Sequence, residues 1–248
     1  MTVFFSDIDN TLVHSRKHAE DDVVIGWKKD KPNSFISKRA YDMLAELPPD
    51  VLFVPVTSRS PDKYSRIHWP NMPSYALVSN GTILLKDGQP VQDWYKKEIE
   101  DNKAVSKKCF AAKSLFQGFD MEWFDAGSFF TVGKAETAER MSEILSHIKN
   151  CPVKIRQAGK RIFLMPDGFT KEEAVRRFLD IYIQKSKDIK VICAGDSVDI
   201  DYGMIKHATV GLVPKYDKIC KTFHVPVFVC PQSDRFEDYI LNYVCERM

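Results

Sequence analysis

The chain has 248 residues, of which 44% are hydrophobic and 28% are charged, and this composition excludes a disordered protein because enough apolar surface exists to form a core. Its 36 basic and 34 acidic side chains leave a net charge of +2, which excludes the strong basic excess typical of nucleic-acid binding. No apolar run approaches the roughly 20 residues that a membrane-spanning helix needs.

The amino-terminal part of the chain alternates predicted strands and helices. The apolar run at 3–5, VLFVPV at 51–56 and YALVS at 75–79 predict three buried strands. Ser37 is the predicted N-cap of a helix between the first two strands, and Pro61 marks the first turn of a helix before the third. Strands joined by helices in this way are typical of a parallel sheet.

The pattern changes near residue 82. A hairpin is predicted around Asp87 and Gly88, followed by a lysine-rich helix with an apolar stripe. FDMEWF at 119–124 and SFFTVG at 128–133 then predict two antiparallel strands, and another helix and two further strands follow. This middle segment therefore has the pattern of an α+β domain.

The parallel pattern resumes past residue 166. A helix is predicted from Lys171, and buried strands are predicted at 190–195, 209–213 and 225–229 before a terminal helix that includes Phe236. The return of the strand and helix alternation indicates that both ends of the chain contribute to one sheet.

The simplest organisation is an α/β fold, a doubly wound parallel, Rossmann-like sheet that is interrupted by an inserted domain. Residues 1–82 and 166–248 are expected to form the core, and residues 83–165 the inserted α+β cap. A cap that closes over the edge of a sheet can exclude water and select the substrate. Its polar candidates are each more typical of a solvated face; they are Lys134, Arg156, Lys160 and Arg161.

Polar side chains directly follow several of the predicted strands. They are Asp7, Asp9, Thr57, Ser58, Ser79, Asn80 and Asp196. Ligands of an open parallel sheet bind beyond the carboxyl ends of its strands, so these residues are expected to converge there. Three carboxylates that meet in one place repel each other unless a cation lies among them, and oxygen ligands without His or Cys favour Mg²⁺.

A magnesium ion held by few carboxylates usually shares its coordination with a substrate phosphate. Thr57 and Ser58 offer hydroxyl and N–H donors at a strand end, and Lys171 begins a helix with a predicted capping box from Thr170 to Glu173. A lysine in the first turn opposes the helix dipole, so its placement is explained if it faces an anion. Taken alone, each of these residues is more often a solvated or turn-closing side chain. It is their joint arrangement at the strand ends that favours a phosphate-binding site.

These residues also carry a family resemblance. DIDNT at 7–11 resembles the D-x-D-x-T signature of the haloacid dehalogenase-like phosphohydrolases. TSR at 57–59, Lys171 and GDSVDID at 195–201 are similar to the second, third and fourth motifs of that family, in the same order. SNG at 79–81, before a large insertion, resembles the subgroup with a type-two cap, which includes sucrose-phosphatase-like and Cof-type sugar phosphatases.

The resemblance implies a role for each matching residue. Asp7 would be the nucleophile that forms an aspartyl-phosphate, and Asp9 would act as general acid and base. The metal ligands would be the Asp7 side chain, the Asp9 backbone carbonyl and Asp196, while Thr11 would brace the loop.

Other residues would bind phosphate or support the site. The phosphate-binding residues would be Thr57, Ser58 and Lys171, which stabilise charge on the transferring group. Asn80 would support the site from the SNG motif. Either Asp199 or Asp201 could support the metal, and the spacing from Asp196 favours Asp201.

The sequence therefore predicts a magnesium-dependent phosphatase that hydrolyses a small phosphorylated metabolite, a sugar or polyol phosphate. Two alternatives stay open, a phosphomutase that passes the group to a sugar hydroxyl and a non-catalytic metabolite-binding protein. The expected partner is a small phosphate monoester, with neither nucleic acid nor membrane, and the expected location is the cytoplasm. The six cysteines include no C-x-x-C pair, which favours reduced thiols.

Overall fold

The computed structural model of the protein describes residues 1–183 and 189–246. The chain forms two compact units. Unit 1 contains Met1–Val91 and Lys171–Met248, and unit 2 contains Gln92–Thr170.

Strands and helices are numbered in chain order. The strands are β1 (Thr2–Ser6), β2 (Val23–Lys28), β3 (Lys31–Ile36), β4 (Val51–Pro55), β5 (Tyr75–Val78), β6 (Ile83–Lys86), β7 (Gln89–Pro90), β8 (Glu122–Ala126), β9 (Phe130–Lys134), β10 (Ile155–Ala158), β11 (Arg161–Leu164), β12 (Lys190–Ala194), β13 (Val210–Val213) and β14 (Val227–Val229). The helices are α1 (Lys38–Ala45), α2 (Pro61–Tyr64), α3 (Gln92–Ala111), α4 (Ala138–His147), α5 (Lys171–Tyr182), α6 (Tyr202–Ile205) and α7 (Phe236–Glu246), with two short 3₁₀ helices at Ala112–Phe116 and Lys218–Thr222.

The central sheet of unit 1 has five parallel strands in the order β14-β13-β12-β1-β4. The inner strand β1, which lies between β12 and β4, is buried along its whole length, because helices cover both faces of the sheet. On one face Phe4 stacks on Phe53 and shares a core with α1 and α7, and on the other Phe5 meets Phe178 of α5 edge to face. This arrangement confirms the predicted α/β class.

A hairpin that the sequence analysis missed follows the first strand. Strands β2 and β3 are antiparallel, and Lys29 and Asp30 at the turn both have positive φ, 50° and 59°. Register shifts around Gly26 and a proline at position 32 obscure the alternation that would have predicted two strands. The hairpin is anchored through backbone pairing of Phe35 with His14.

A network of ion pairs fixes the loop before that hairpin to the start of α7. Arg235 pairs with the buried Asp22 at 2.5 Å and also with the buried Glu237. Glu237 in turn lies 3.0 Å from the ring of His14. Asp22 accepts hydrogen bonds from the backbone N–H groups of His18 and Ala19 as well. The loop from residue 14 to residue 22 is therefore held by charges at both of its ends.

Strand β5 extends the central sheet beyond β4 through a parallel bridge between Val56 and Leu77. It also pairs with β6, and β6 pairs with β7 around the Asp87–Gly88 turn, where the hairpin was predicted. Because this hairpin grows from a core strand, unit 2 begins at Gln92 instead of residue 83. At the other boundary it ends at Thr170, five residues later than the predicted limit.

Unit 2 is built on an antiparallel sheet in the order β10-β11-β9-β8. Cys109 of α3, Met141 and Ile144 of α4, and Ile162 and Leu164 of β11 form its buried core. Of the aromatic side chains on and beside its strands, Phe129 and Phe130 are buried, whereas Phe124 is exposed. Within the described residues, no helix has the length and apolar character needed to cross a membrane.

Candidate active site

Two neighbouring strands of the central sheet deliver carboxylates to the same edge. Asp7 directly follows β1, and its N–H donates to the carbonyl oxygen of Ala194, the last residue of β12, at 2.9 Å. Asp196 follows β12 after a single glycine. Since β1 and β12 are parallel neighbours, their carboxyl ends meet, and the two aspartates lie close together.

A third carboxylate completes the group, which we call the acidic cluster. One carboxylate oxygen each from Asp7, Asp196 and Asp201 lies within 4.8 Å of the others. Asp201 is buried and accepts a hydrogen bond from the N–H of Ser197 at 2.9 Å, whereas Asp199 is exposed. Asp201 is therefore the residue of the fourth motif that the fold brings to the cluster.

Gly195 allows Asp201 to reach the acidic cluster. A Cβ atom at position 195 would lie 2.3 Å from the Cβ atom of Asp201, far inside van der Waals contact. The glycine after β12 is thus required by close packing, and not by an unusual backbone angle. The sequence pattern G-D-x-x-x-x-D has a direct steric reason in this protein.

Lys171 and Thr11 bind the acidic cluster from the protein side. The ammonium of Lys171, at the first position of α5, donates to Asp7 and to Asp201, the latter at 2.6 Å, and only 2% of the lysine side chain is exposed. The hydroxyl of Thr11 lies 3.2 Å from Asp7 and 3.4 Å from Asp196. Buried charges persist when they are paired and hydrogen-bonded in this way.

Burial governs the protonation of the acidic cluster. Burial and the nearby carboxylates raise the pKa of Asp7 well above its usual range, although Lys171 opposes that shift. Burial and then Asp201 raise the pKa of Asp196 to about 7. Burial alone would lower the pKa of Lys171, but Asp201 and Asp7 outweigh it and raise that pKa. One ammonium does not balance three carboxylates, so the cluster favours an additional cation.

The chemistry of the donors fits a hard metal ion. The cluster offers carboxylate oxygens alone, and neither His nor Cys belongs to this group of the described residues. Mg²⁺ prefers such oxygen ligands and tolerates a small number of them, because it keeps water or phosphate in its remaining positions. The three carboxylates therefore lie close enough to hold one metal ion.

Asp9 is separated from the acidic cluster by its pairing with Arg59. The guanidinium of Arg59 donates from Nε to Oδ2 of Asp9 at 3.0 Å and from Nη2 to Oδ1 at 2.7 Å. Its Nη2 also lies 3.4 Å from the hydroxyl of Ser34 on β3. A bidentate pair of this kind fixes the orientation of a carboxylate as well as its charge. The two aspartates of the D-x-D motif are thus held by different partners.

Thr57, Ser58 and Asn80 lie at the ends of the next strands, where they were expected. Thr57 follows β4 and is fully buried, and its Oγ1 accepts the N–H of Arg59 at 3.1 Å. Ser58 is half-buried, and Asn80 is buried, with its N–H donating to the carbonyl oxygen of Thr57 at 2.8 Å. The loop after β4 is therefore tied to the loop after β5.

Several solved structures resemble the whole chain. The sucrose-phosphatase from Synechocystis sp. PCC6803, solved with sucrose and phosphate, matches with a TM-score of 0.63 and 14% identity over 98% of this chain and 96% of its own. A sugar phosphatase of haloacid dehalogenase subclass IIB matches with a TM-score of 0.62 and 15% identity over 98% and 99%. A trehalose-6-phosphate phosphatase related protein matches with a TM-score of 0.57 and 16% identity over 99% and 97%.

The chain has the haloacid dehalogenase-like fold. No protein-family model matches the sequence, and a search of curated proteins finds no significant match. The likeness to the solved structures covers nearly the full length of both chains and so includes the inserted segment.

The pairing of Arg59 with Asp9 was not predicted from the sequence. Arg59 is the third residue of TSR at 57–59, and the motif alone predicts no role for it. A signal existed, because an arginine that follows a buried strand by a few residues needs an acidic partner. The rule for strand ends brings the loops after β1 and β4 together, but it does not say which of their side chains pair.

Proposed function

We propose that the protein is a magnesium-dependent phosphatase that hydrolyses a sugar or polyol phosphate through an aspartyl-phosphate on Asp7. The observation that carries this proposal is the pair of differently held carboxylates. Asp7 belongs to the acidic cluster and pairs with Lys171. Asp9, two residues later, lies outside the cluster and pairs with Arg59. Such a pair can divide the work of nucleophile and acid between two similar side chains.

Asp7 is the nucleophile in this proposal. A carboxylate oxygen of Asp7 forms a bond to phosphorus as the bond from phosphorus to the ester oxygen breaks. Lys171 and Thr11 orient the carboxylate and restrict its rotation, so the attacking oxygen is positioned before the substrate arrives. A bound Mg²⁺, with Asp7, Asp196 and the Asp9 carbonyl as its proposed protein ligands, would neutralise charge on the phosphoryl group.

Asp9 moves the protons in both halves of the reaction. It begins the reaction protonated and gives that proton to the ester oxygen as the oxygen leaves, and the resulting carboxylate then takes a proton from the water that attacks the aspartyl-phosphate. That water releases inorganic phosphate and regenerates the carboxylate of Asp7. Arg59 fixes the direction of the Asp9 carboxylate and is therefore a positioning residue.

Thr57, Ser58 and Lys171 bind the phosphoryl oxygens. Thr57 offers its hydroxyl at the end of β4, because its own N–H donates to the carbonyl oxygen of Leu77, and Ser58 offers a hydroxyl beside it. Lys171 brings a positive charge to the same edge of the sheet. Charge that develops on the transferring group is stabilised by such fixed donors, which supply most of the rate gain in phosphoryl transfer. Asn80 and Asp201 support these groups through Thr57 and Lys171.

The proposed substrate class is supported by the names of solved structures that share the fold. Proteins named as sucrose-phosphatase and as a subclass IIB sugar phosphatase match with TM-scores of 0.63 and 0.62. Residues 92–170, which match together with the core, are proposed to act as the cap that contacts the sugar or polyol part.

The proposal is tested by phosphate release from a panel of phosphate monoesters with Mg²⁺ present. The wild type is compared with Asp7→Asn, for which we expect a loss of at least roughly 10³-fold in kcat because the nucleophile is removed. No release from any ester by the wild type would contradict the proposal, and so would an unchanged rate in Asp7→Asn. A hexose phosphate converted to an isomer without free phosphate would show a mutase instead.

A matched pair of variants tests the supporting role of Asp201 in the acidic cluster. Asp201→Asn is expected to lose activity, whereas Asp199→Asn, on the exposed part of the same loop, keeps the wild-type rate. Each change removes one negative charge, and the two positions are only two residues apart, so their long-range electrostatic effects on the site are similar. Equal losses in the two variants would contradict the assignment of Asp201.

A further inference from the structure

Three consecutive residues after β5 adopt the left-handed backbone conformation. Ser79, Asn80 and Gly81 have φ values of 51°, 56° and 81°. For residues other than glycine this conformation is unfavourable, and two of them in succession persist only where the surrounding structure holds them. We call residues 79–81 the left-handed turn.

The amide groups of the left-handed turn bind the loop after β4. The N–H of Ser79 donates to the carbonyl oxygen of Arg59 at 2.7 Å, and the N–H of Asn80 donates to that of Thr57 at 2.8 Å. A regular continuation of β5 would not direct two successive N–H groups to one loop. The unusual conformation therefore fixes the backbone of the residues that bind phosphate and hold Asp9.

The third residue of the turn contacts the helix that carries Lys171. A Cβ atom at Gly81 would lie 2.0 Å from the Cβ of Ala174 and 3.5 Å from its Cα. Ala174 is buried in α5, three residues after Lys171 and thus on the same side of the helix. The missing side chain at position 81 therefore sets how closely α5 approaches the turn.

We infer that the left-handed turn is a positioning element for the active site, which sets the spacing between the donors of the β4 loop and the ammonium of Lys171. This inference rests on the proposed function, because it assigns those groups to one phosphoryl anion. The turn contacts both sides of the site through the backbone and Gly81, and it takes no part in the chemistry itself. A shift of about 1 Å between such groups can cost roughly 100-fold in rate.

The test is a double-mutant cycle at the contact between the turn and α5. Gly81→Ala adds a Cβ that overlaps the Cβ of Ala174 and also places alanine at a φ of 81°. Ala174→Gly removes the overlap, after which the nearest atom of residue 174 is its Cα at an ordinary 3.5 Å, and only the backbone strain remains. We expect Gly81→Ala to lower kcat for p-nitrophenyl phosphate by roughly 100-fold and to weaken inorganic phosphate binding. The double variant should recover at least roughly 10-fold of that loss, which is the coupling that a contact between the two sites predicts.

Two further variants separate positioning from folding. Ala174→Ser adds a single atom at the same contact from the helix side and should weaken phosphate binding in the same direction, even if Gly81→Ala does not fold. Gly211→Ala on β13 also creates a buried overlap, 2.6 Å from the side chain of Ile205, but touches neither Thr57 nor Lys171. It should lower the melting temperature while leaving phosphate affinity unchanged.

The outcomes distinguish this inference from the proposed function. Inorganic phosphate binding, measured by calorimetry with Mg²⁺ present, reads the spacing of the donors without turnover. A wild type that binds phosphate but hydrolyses no ester would contradict the proposed function alone. The double-mutant cycle is then evaluated from the affinities of the variants for inorganic phosphate. Unchanged affinity in Gly81→Ala and Ala174→Ser, absence of recovery in the double variant, or a wild type that does not bind phosphate would overturn the positioning role.

Discussion

At the scale of single residues, Lys171 is a charged side chain held in the protein interior, with only 2% of it exposed. It is buried between Asp7 and Asp201, and each of these carboxylates depends on it for charge compensation. Removing one member of a buried group of charges costs more than the pair contributes, because the remaining charges lose their partner without regaining water. The lysine is thus required for stability as well as for the proposed chemistry.

Lys171→Met is therefore expected to reduce the free energy of unfolding by roughly 3 to 5 kcal/mol, as measured by urea denaturation without metal. Lys38→Met is the matched control, because Lys38 forms an exposed i,i+4 pair with Asp42, and such pairs contribute about 1 kcal/mol or less. Similar losses in the two variants would show that the buried lysine is not the main compensating charge.

The pairing of Arg59 with Asp9 makes a second prediction for a single side chain. Arg59→Ala frees the Asp9 carboxylate, so protonation of the leaving oxygen should suffer most where that oxygen is a poor leaving group. We expect kcat/KM for a sugar phosphate to fall by roughly 100-fold, and that for p-nitrophenyl phosphate to fall much less. Equal losses for the two substrates would indicate that Arg59 binds phosphate instead of positioning Asp9.

At the scale of structural elements, the loop from residue 14 to residue 22 depends on charge. Burial alone would raise the pKa of Asp22, but hydrogen bonds from Arg235 and from two backbone N–H groups outweigh it and lower that pKa. Burial acts in the same way on Glu237, where His14 and Arg235 hold the pKa below its usual range. A lowered folded-state pKa stabilises the protein above the unfolded pKa, and this contribution disappears as the pH falls.

Asp22→Asn should therefore lower stability by roughly 2 kcal/mol at pH 7, with the difference from the wild type shrinking towards pH 3. The measurement is thermal unfolding followed by circular dichroism across this pH range. Asp21→Asn changes the neighbouring exposed aspartate and should leave the curve unchanged. A difference between wild type and Asp22→Asn that does not vary with pH would refute the electrostatic explanation.

Elements with a regular pattern could be predicted from the sequence, and those held by tertiary contacts could not. The buried strand before Asp7 and the helix that begins at Lys171 have continuous or periodic apolar residues, so their types followed directly. The meeting of Asp7 and Asp196 followed from the rule for parallel strand ends. The β2–β3 hairpin and the partner of Arg59 depend on a bulged register and on contacts between distant loops, which no local pattern records.

At the scale of the whole molecule, metal binding should stabilise the fold, because the ligands come from distant parts of the sequence. At a concentration about 100 times its Kd, Mg²⁺ would add roughly 2.7 kcal/mol, or roughly 5 to 10 °C in Tm. Differential scanning fluorimetry should show this shift in the wild type and in Asp199→Asn, but not in Asp196→Asn. A shift retained in Asp196→Asn would place the metal elsewhere.

The position of β1 inside the sheet, between β12 and β4, also affects how the protein is made. Its neighbour β12 begins at Lys190, so a growing polypeptide on the ribosome must expose the β1 edge until all of unit 2 has been synthesised. During that interval β1 can pair with β4 on one side but lacks β12 on the other. Unpaired strands of this kind attract chaperones and favour aggregation. Slow translation across residues 92–170 should therefore reduce the yield of active protein.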